Sequence, residues 1–156
     1  MNMVEVNNKT RSKIDSGLLK RVTEKFLDYY NIKKDVSVAL VGDRVMRRLN
    51  KQSRGADRVT DVLAFPDDDP GFLGEVIIDY AQVKRQAPRF AGSIRAELVF
   101  VLVHGLLHLL GYEDETEKGR QEMERLGKEI VEKLSKVINY PRLRSRRFGR
   151  DRRGRQ

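Results

Sequence analysis

The chain has 156 residues, no cysteine and a formal net charge of +9. That length suits one domain able to bury roughly two-thirds of its unfolded surface unaided, and the lack of cysteine excludes both a disulfide framework and a thiolate metal site. No apolar run reaches the ~20 residues of a membrane span, and the opening MNMVEVNNKTRSK has no signal-like apolar stretch, so a cytoplasmic protein without a membrane partner is expected.

Residues 3–6 form a short candidate strand. Asp15 or Ser16 can cap the next helix, whose apolar stripe runs Leu19, Val22, Phe26 and Tyr29 or Tyr30. In residues 35–41, Val36, Val38 and Leu40 alternate with Ser37 and Ala39, the pattern of a strand. Strand, helix, strand implies a parallel pair joined by a right-handed crossover. Asp43 is placed as the cap of a short helix over 44–52 with Val45, Met46 and Leu49 inward. A polar loop, 53–58, leads to a strand over 59–65, and the turn chemistry of PDDDPG before a strand over 73–79 predicts a hairpin. Asp67, Asp68 and Asp69 in that turn read as a solvated loop, since no acidic partner spacing follows them. Residues 80–87 read as a short helix ended by Pro88, and Ser93 caps a long, buried helix. A last amphipathic helix over 115–138 carries Met123, Leu126, Ile130, Leu134 and Val137 at spacings of three and four. Beyond it, residues 141–156 hold eight arginines against one aspartate, which leaves 1–140 nearly balanced with 24 basic and 22 acidic side chains. The expected organisation is one small mixed sheet with helices over 1–140 and an arginine-rich, disordered tail over 141–156, suited to a nucleic acid or to solubility alone.

The long helix leads into VHGLLHLLGYED, residues 103–114, which contains the chain's two histidines, His104 and His108. Four apart on a helix, their Cβ atoms lie about 5–6 Å from each other, within reach of one metal ion. Gly111 can stop the helix and return the chain, so that Glu113, Asp114 or Glu115 could supply a third ligand. The spacing H-x3-H-x2-G-x2-D follows the long metzincin signature with two substitutions. Gly105 stands where a zinc protease has the glutamate that takes a proton from water, and glycine cannot do so. Asp114 stands at the third histidine, where a carboxylate is an acceptable zinc ligand. Two simpler readings compete: core histidines satisfied by hydrogen bonds, and a capping box in which Asp114 and Glu117 start the last helix.

The stretch HGLLHLLGY, with RGADRVTDVLAFP over 54–66 and LGEVIID over 73–79, resembles the YbeY family of bacterial rRNA-maturation endoribonucleases. The likeness runs through most of residues 1–138, with the motifs in the family's order and at family-like separations; the tail lies outside it. The resemblance implies a single zincin-like α+β domain with a mainly parallel four-stranded sheet, about five helices and one Zn²⁺. The implied activity is a metal-dependent endoribonuclease acting on single-stranded rRNA in 16S rRNA 3′-end maturation and ribosome quality control, with the small ribosomal subunit and its assembly factors as partners. On the same resemblance His104 and His108 are zinc ligands and Arg54 is the family's functionally important arginine, whose planar guanidinium suits two phosphate oxygens. The family's third ligand is usually the histidine of G-Y-D-H; Asp114 in that position is a harder, charged donor. Thr60 and Asp61 are expected to order the loop and strand beside the site. With no general base in view, the attacking group is either water activated by the ion or the RNA's own 2′-hydroxyl. Rival functions are a metalloprotease, which would need a base in place of Gly105, and a non-catalytic rRNA-binding assembly factor with a structural metal.

Overall fold

A computed structural model describes residues 3–90 and 92–137; the tail over 141–156 and the end of the final helix expected at Ile138 fall outside them. The elements run β1 (Val4–Asn8), α1 (Ser16–Tyr29), β2 (Asp35–Val41), α2 (Asp43–Arg54), β3 (Val62–Pro66), β4 (Phe72–Asp79), α3 (Tyr80–Phe90), α4 (Ile94–Leu109) and α5 (Glu117–Val137). The sheet order is β1-β2-β4-β3. β1, β2 and β4 are parallel, and β3 returns as the antiparallel hairpin partner of β4. This is the expected α+β fold with a mainly parallel sheet.

Strand alternation divides the apolar side chains between two faces. Val36, Val38 and Leu40 of β2, with Val76 and Ile78 of β4, join α1, α4 and α5 in the main core. Ala39, Val41, Leu63 and Ile77 form a smaller cluster under Met46, Val45 and Leu49 of α2. The central element is α4: residues 96–107 are all buried, and the helix packs against β3, β4, α1, α3 and α5. A helix apolar all round belongs in that position. No single helix among the described residues is long and apolar enough to cross a membrane.

Local chemistry bears out some expected caps and corrects other boundaries. Asp15, rather than Ser16, caps α1 by accepting from Leu18 N at 3.0 Å, and Ser93 caps α4 by accepting from Ala96 N at 3.0 Å. Asp43 does not cap α2; Gly42 holds that position, and the Asp43 carboxylate accepts from Arg85 through both terminal nitrogens at 2.9 and 2.8 Å. α3 continues through Pro88 to Phe90. The ring forfeits one hydrogen bond in the last turn, which burial of Ala87 and Phe90 offsets, and Gly92 N closes the end on Ala87 O at 2.8 Å. β3 begins at Val62 instead of residue 59, because Val59 packs against the α2-side cluster from a loop. α5 starts at Glu117 and is capped by Thr116, whose hydroxyl accepts from Gly119 N at 2.9 Å. Of the two uses open to Asp114, the capping box is therefore not formed, and its carboxylate faces the histidines instead.

Candidate metal centre and its cavity

One turn of α4 separates His104 from His108, whose ring centroids lie 4.8 Å apart in an edge-on arrangement. After Leu110 the chain reverses at Gly111, where φ is 101°, a value that favours glycine. Tyr112 N then donates to Leu107 O at 3.2 Å. The reversal returns Asp114 to the histidines: its Oδ2 lies 3.1 Å from His104 Nε2 and 3.4 Å from His108 Nε2. Arg120 of α5 pairs with Glu117 and donates to the Asp114 carbonyl at 3.3 Å, which fixes the returning segment. One ligand atom from each of the three residues lies within 4.8 Å of the others.

These residues fit a cation. His108 Nδ1 is 2.9 Å from Tyr112 O, and against a carbonyl that nitrogen must carry the hydrogen. In the neutral ring Nε2 is then a lone pair facing the Asp114 carboxylate, a contact that is unfavourable unless a proton or a metal ion lies between them. Hydrogen bonds from His104 first and His108 second hold the Asp114 carboxyl well below the usual carboxylate range. The three residues could hold a metal ion in the proton's place.

The group forms one wall of a cavity of about 190 Å³. Facing it are Asn50 and Arg54 of α2, Ala56, Arg58, Thr60 and Asp61 of the following loop, and Val62 and Leu63 of β3. Arg54 is exposed on the rim, as is Arg58. Asn50, buried, donates to Arg58 O at 3.0 Å and so anchors the loop that carries both. Asp61 is buried too; Gln86 Nε2 bridges its Oδ2 at 2.9 Å and Glu97 Oε2 at 2.7 Å, tying the cavity wall to α3 and α4. Asp67, Asp68 and Asp69 are exposed in the β3–β4 turn, two of them closing it through Asp69 N and Gly71 N. None lines the cavity. Sequence patterning missed Asn50, Arg58, Gln86 and Arg120; the one available signal was Glu97, an acid inside an apolar run, which must find a partner once buried.

Gly105 has a role beyond lacking a base. A Cβ there would stand 2.7 Å from Val76 Cγ1 and 2.9 Å from Val62 Cγ2. α4 thus rests directly on β3 and β4, and the seat of a protease glutamate is filled by the sheet.

Comparison with known proteins agrees with this architecture. The family model described as Endoribonuclease YbeY matches residues 4–135. Endoribonuclease YbeY of Sulfurihydrogenibium sp. (strain YO3AOP1) is 39% identical over 142 residues, covering 86% of this chain and 93% of that protein. The protein of the same name from Persephonella marina is 37% identical over 143 residues, with 86% and 94% covered. The solution structure of TM1509 from Thermotoga maritima superposes with a TM-score of 0.61 at 30% identity, covering 90% of this chain and 93% of that one. By sequence and fold, the chain belongs to the YbeY endoribonuclease family.

Proposed function

We propose that the protein is a zinc-dependent endoribonuclease for single-stranded RNA, acting in the cytoplasm on small-subunit rRNA, at the 16S 3′ end, and in ribosome quality control with the small subunit and its assembly factors. The observation that carries the chemistry is the convergence of His104, His108 and Asp114 on one wall of a cavity whose rim holds Arg54 and Arg58. Family membership supports an RNA substrate. Three protein ligands, two imidazoles and a carboxylate, are the donor set of catalytic zinc sites, which keep a position open.

When bound, the ion supplies Lewis acidity toward a phosphoryl oxygen and toward water. The chain's own side chains do the rest. His108, fixed by the Tyr112 carbonyl, presents Nε2 in one orientation. Arg54 places a planar guanidinium where two phosphate oxygens can be gripped, and it stabilises charge that grows on them as the phosphorus centre expands. Arg58, tethered through Asn50, adds a second positive group. No carboxylate occupies the protease base position, and the packing of Gly105 on Val62 and Val76 leaves no room for one there, which counts against the metalloprotease reading.

The test pairs elemental analysis of purified protein with cleavage of a single-stranded RNA by the natural chain, His108→Ala, Asp114→Ala and Asp114→His. The expected result is about one zinc per natural chain, loss of cleavage in His108→Ala, at least a 10-fold fall in metal affinity for Asp114→Ala, and retained metal in Asp114→His. RNA binding without cleavage by the zinc-loaded natural chain would overturn the enzyme and leave an assembly factor. The product ends identify the attacking group: a 2′,3′-cyclic phosphate marks the 2′-hydroxyl.

A further inference from the structure

An RNA strand seated in the cavity must leave it, and the geometry points to the outer face of α2: the nucleotides flanking the cleaved bond on one side lie along Arg44, Arg48 and Lys51, held by their phosphates. The inference rests on the RNA-cleaving reading above and extends it.

The inner face of α2 is accounted for by Met46 and Asn50, both buried, and by Val45 and Leu49. Its outer face carries Arg44, Arg47, Arg48, Lys51 and Arg54, all exposed. At 1.5 Å per residue that stripe is about 15 Å long. Folding gains little from it. Arg44 and Arg48, Arg47 and Lys51, and Lys51 and Arg54 are like-charged neighbours at three- or four-residue spacing, which destabilises a helix. Arg44 also lies in the first turn, where the helix dipole disfavours a cation. The nearby acids are engaged: Asp57 pairs with Arg47 at 2.7 Å and Asp43 with Arg85 at 2.8 Å. Among the described residues, Arg44, Arg48 and Arg54 form no ion pair.

The surface there is concave. A groove of about 560 Å³ is lined by four cations, Arg44, Arg47, Arg48 and Lys51, two acids, Asp43 and Asp57, and Val59. It backs onto the metal cavity across a single strand of loop: Ala56, Arg58 and Thr60 face the cavity, whereas Asp57 and Val59 face the groove. A polyanion passing Arg54 on the cavity rim therefore meets Lys51 one turn away, then Arg48, then Arg44. Among the described residues no aromatic side chain lines the groove, so they offer no platform for stacked bases. Its contacts are with phosphates, tolerant of sequence and sensitive to salt.

The test uses the full-length, metal-loaded chain and the variant Arg44→Gln/Arg48→Gln/Lys51→Gln, with Arg48→Gln alone as a milder form. Binding of a single-stranded oligonucleotide is followed by anisotropy across a salt series, and cleavage of a short oligonucleotide is compared with versions extended on the 5′ or the 3′ side. The natural chain should gain in KM, with kcat little affected, when one of the two sides is extended. The triple variant should lose that gain, and its salt slope should fall by about 2, at about 0.7 for each phosphate contact on a single strand. An unchanged slope and an unchanged length preference in the variant would overturn the path while leaving the nuclease standing. If the slope falls as described in a chain that binds RNA without cutting it, the path stands and the nuclease fails. Loss of the length preference on deleting residues 141–156, with the triple variant behaving as the natural chain, would assign the flank to the tail and overturn the inference.

Discussion

A glutamate is only two carbons longer than an alanine at its carboxyl end, yet at position 105 neither can be seated without moving the sheet. Val76 Cγ1 at 2.7 Å and Val62 Cγ2 at 2.9 Å from a built Cβ are closer than such contacts are found. Gly105→Ala is expected to cost about 1–3 kcal/mol as the valines and α4 are forced apart, measured by chemical denaturation, and to lower metal affinity because His104 and His108 move with the helix. Equal stability in Gly105→Ala would show that α4 does not depend on this contact. Asp114 illustrates the opposite situation, in which one side chain had two plausible uses. Thr116 supplies the cap, which leaves Asp114 in contact with both imidazoles. Thr116→Ala should therefore destabilise by about 1 kcal/mol, as loss of a cap does, while metal stoichiometry is retained.

At the scale of elements, α2, β4 and α3 meet at a pair of acids whose protonation is linked to folding. Burial first, and then the neighbouring Asp43 carboxylate, push Asp79 up to about 7, while Arg85 holds Asp43 down at about 2. A native-state value above the unfolded one means that the folded chain binds the proton more tightly. The Asp79 contribution is thus fully present below about pH 4 and is lost as pH rises through about 7. Asp43 acts with the opposite sign, its gain appearing between about pH 2 and pH 4. Asp79→Asn keeps an oxygen for the Ala81 and Gln82 amides and removes the charge. Urea titrations should find this variant more stable than the natural chain at pH 8, by on the order of 2 kcal/mol, and the difference should shrink below about pH 5. A variant no more stable at the higher pH would contradict the assignment. The same elements show what a linear pattern can reveal. Period-two alternation in β2 and the hairpin chemistry of residues 66–71 were legible because each is local. The end of α3 was not, since Pro88 is a stop signal that buried Ala87 and Phe90 override. At the site, His104, His108 and Asp114 lie in one short stretch and were readable together. Gln86 acts through Asp61, 25 residues away in the chain, whereas Asn50 and Arg120 act through backbone carbonyls of nearby loops, and nothing in their neighbours distinguishes them.

At the scale of the whole molecule, the charge excess lies mostly outside the described fold. Removing residues 141–156 takes away eight arginines and one aspartate and leaves every core residue of the described fold in place. The shortened chain is expected to melt within about 1 kcal/mol of the natural one and to bind RNA more weakly with a shallower salt dependence; an unchanged salt slope would remove the tail from RNA binding. The centre on α4 has a further property. All three donors fall between residues 104 and 114, a clip closed by one helical turn and one reversal, whereas the walls of the cavity come from residues 50–63. A clip so short keeps part of its grip when the remainder of the polypeptide has melted, and a cation that clings to both forms shifts the balance between them only slightly. On the proposed function, loading can accordingly begin during synthesis, as soon as this stretch leaves the ribosome, while a strand of RNA would find no berth until the distant halves of the chain have met.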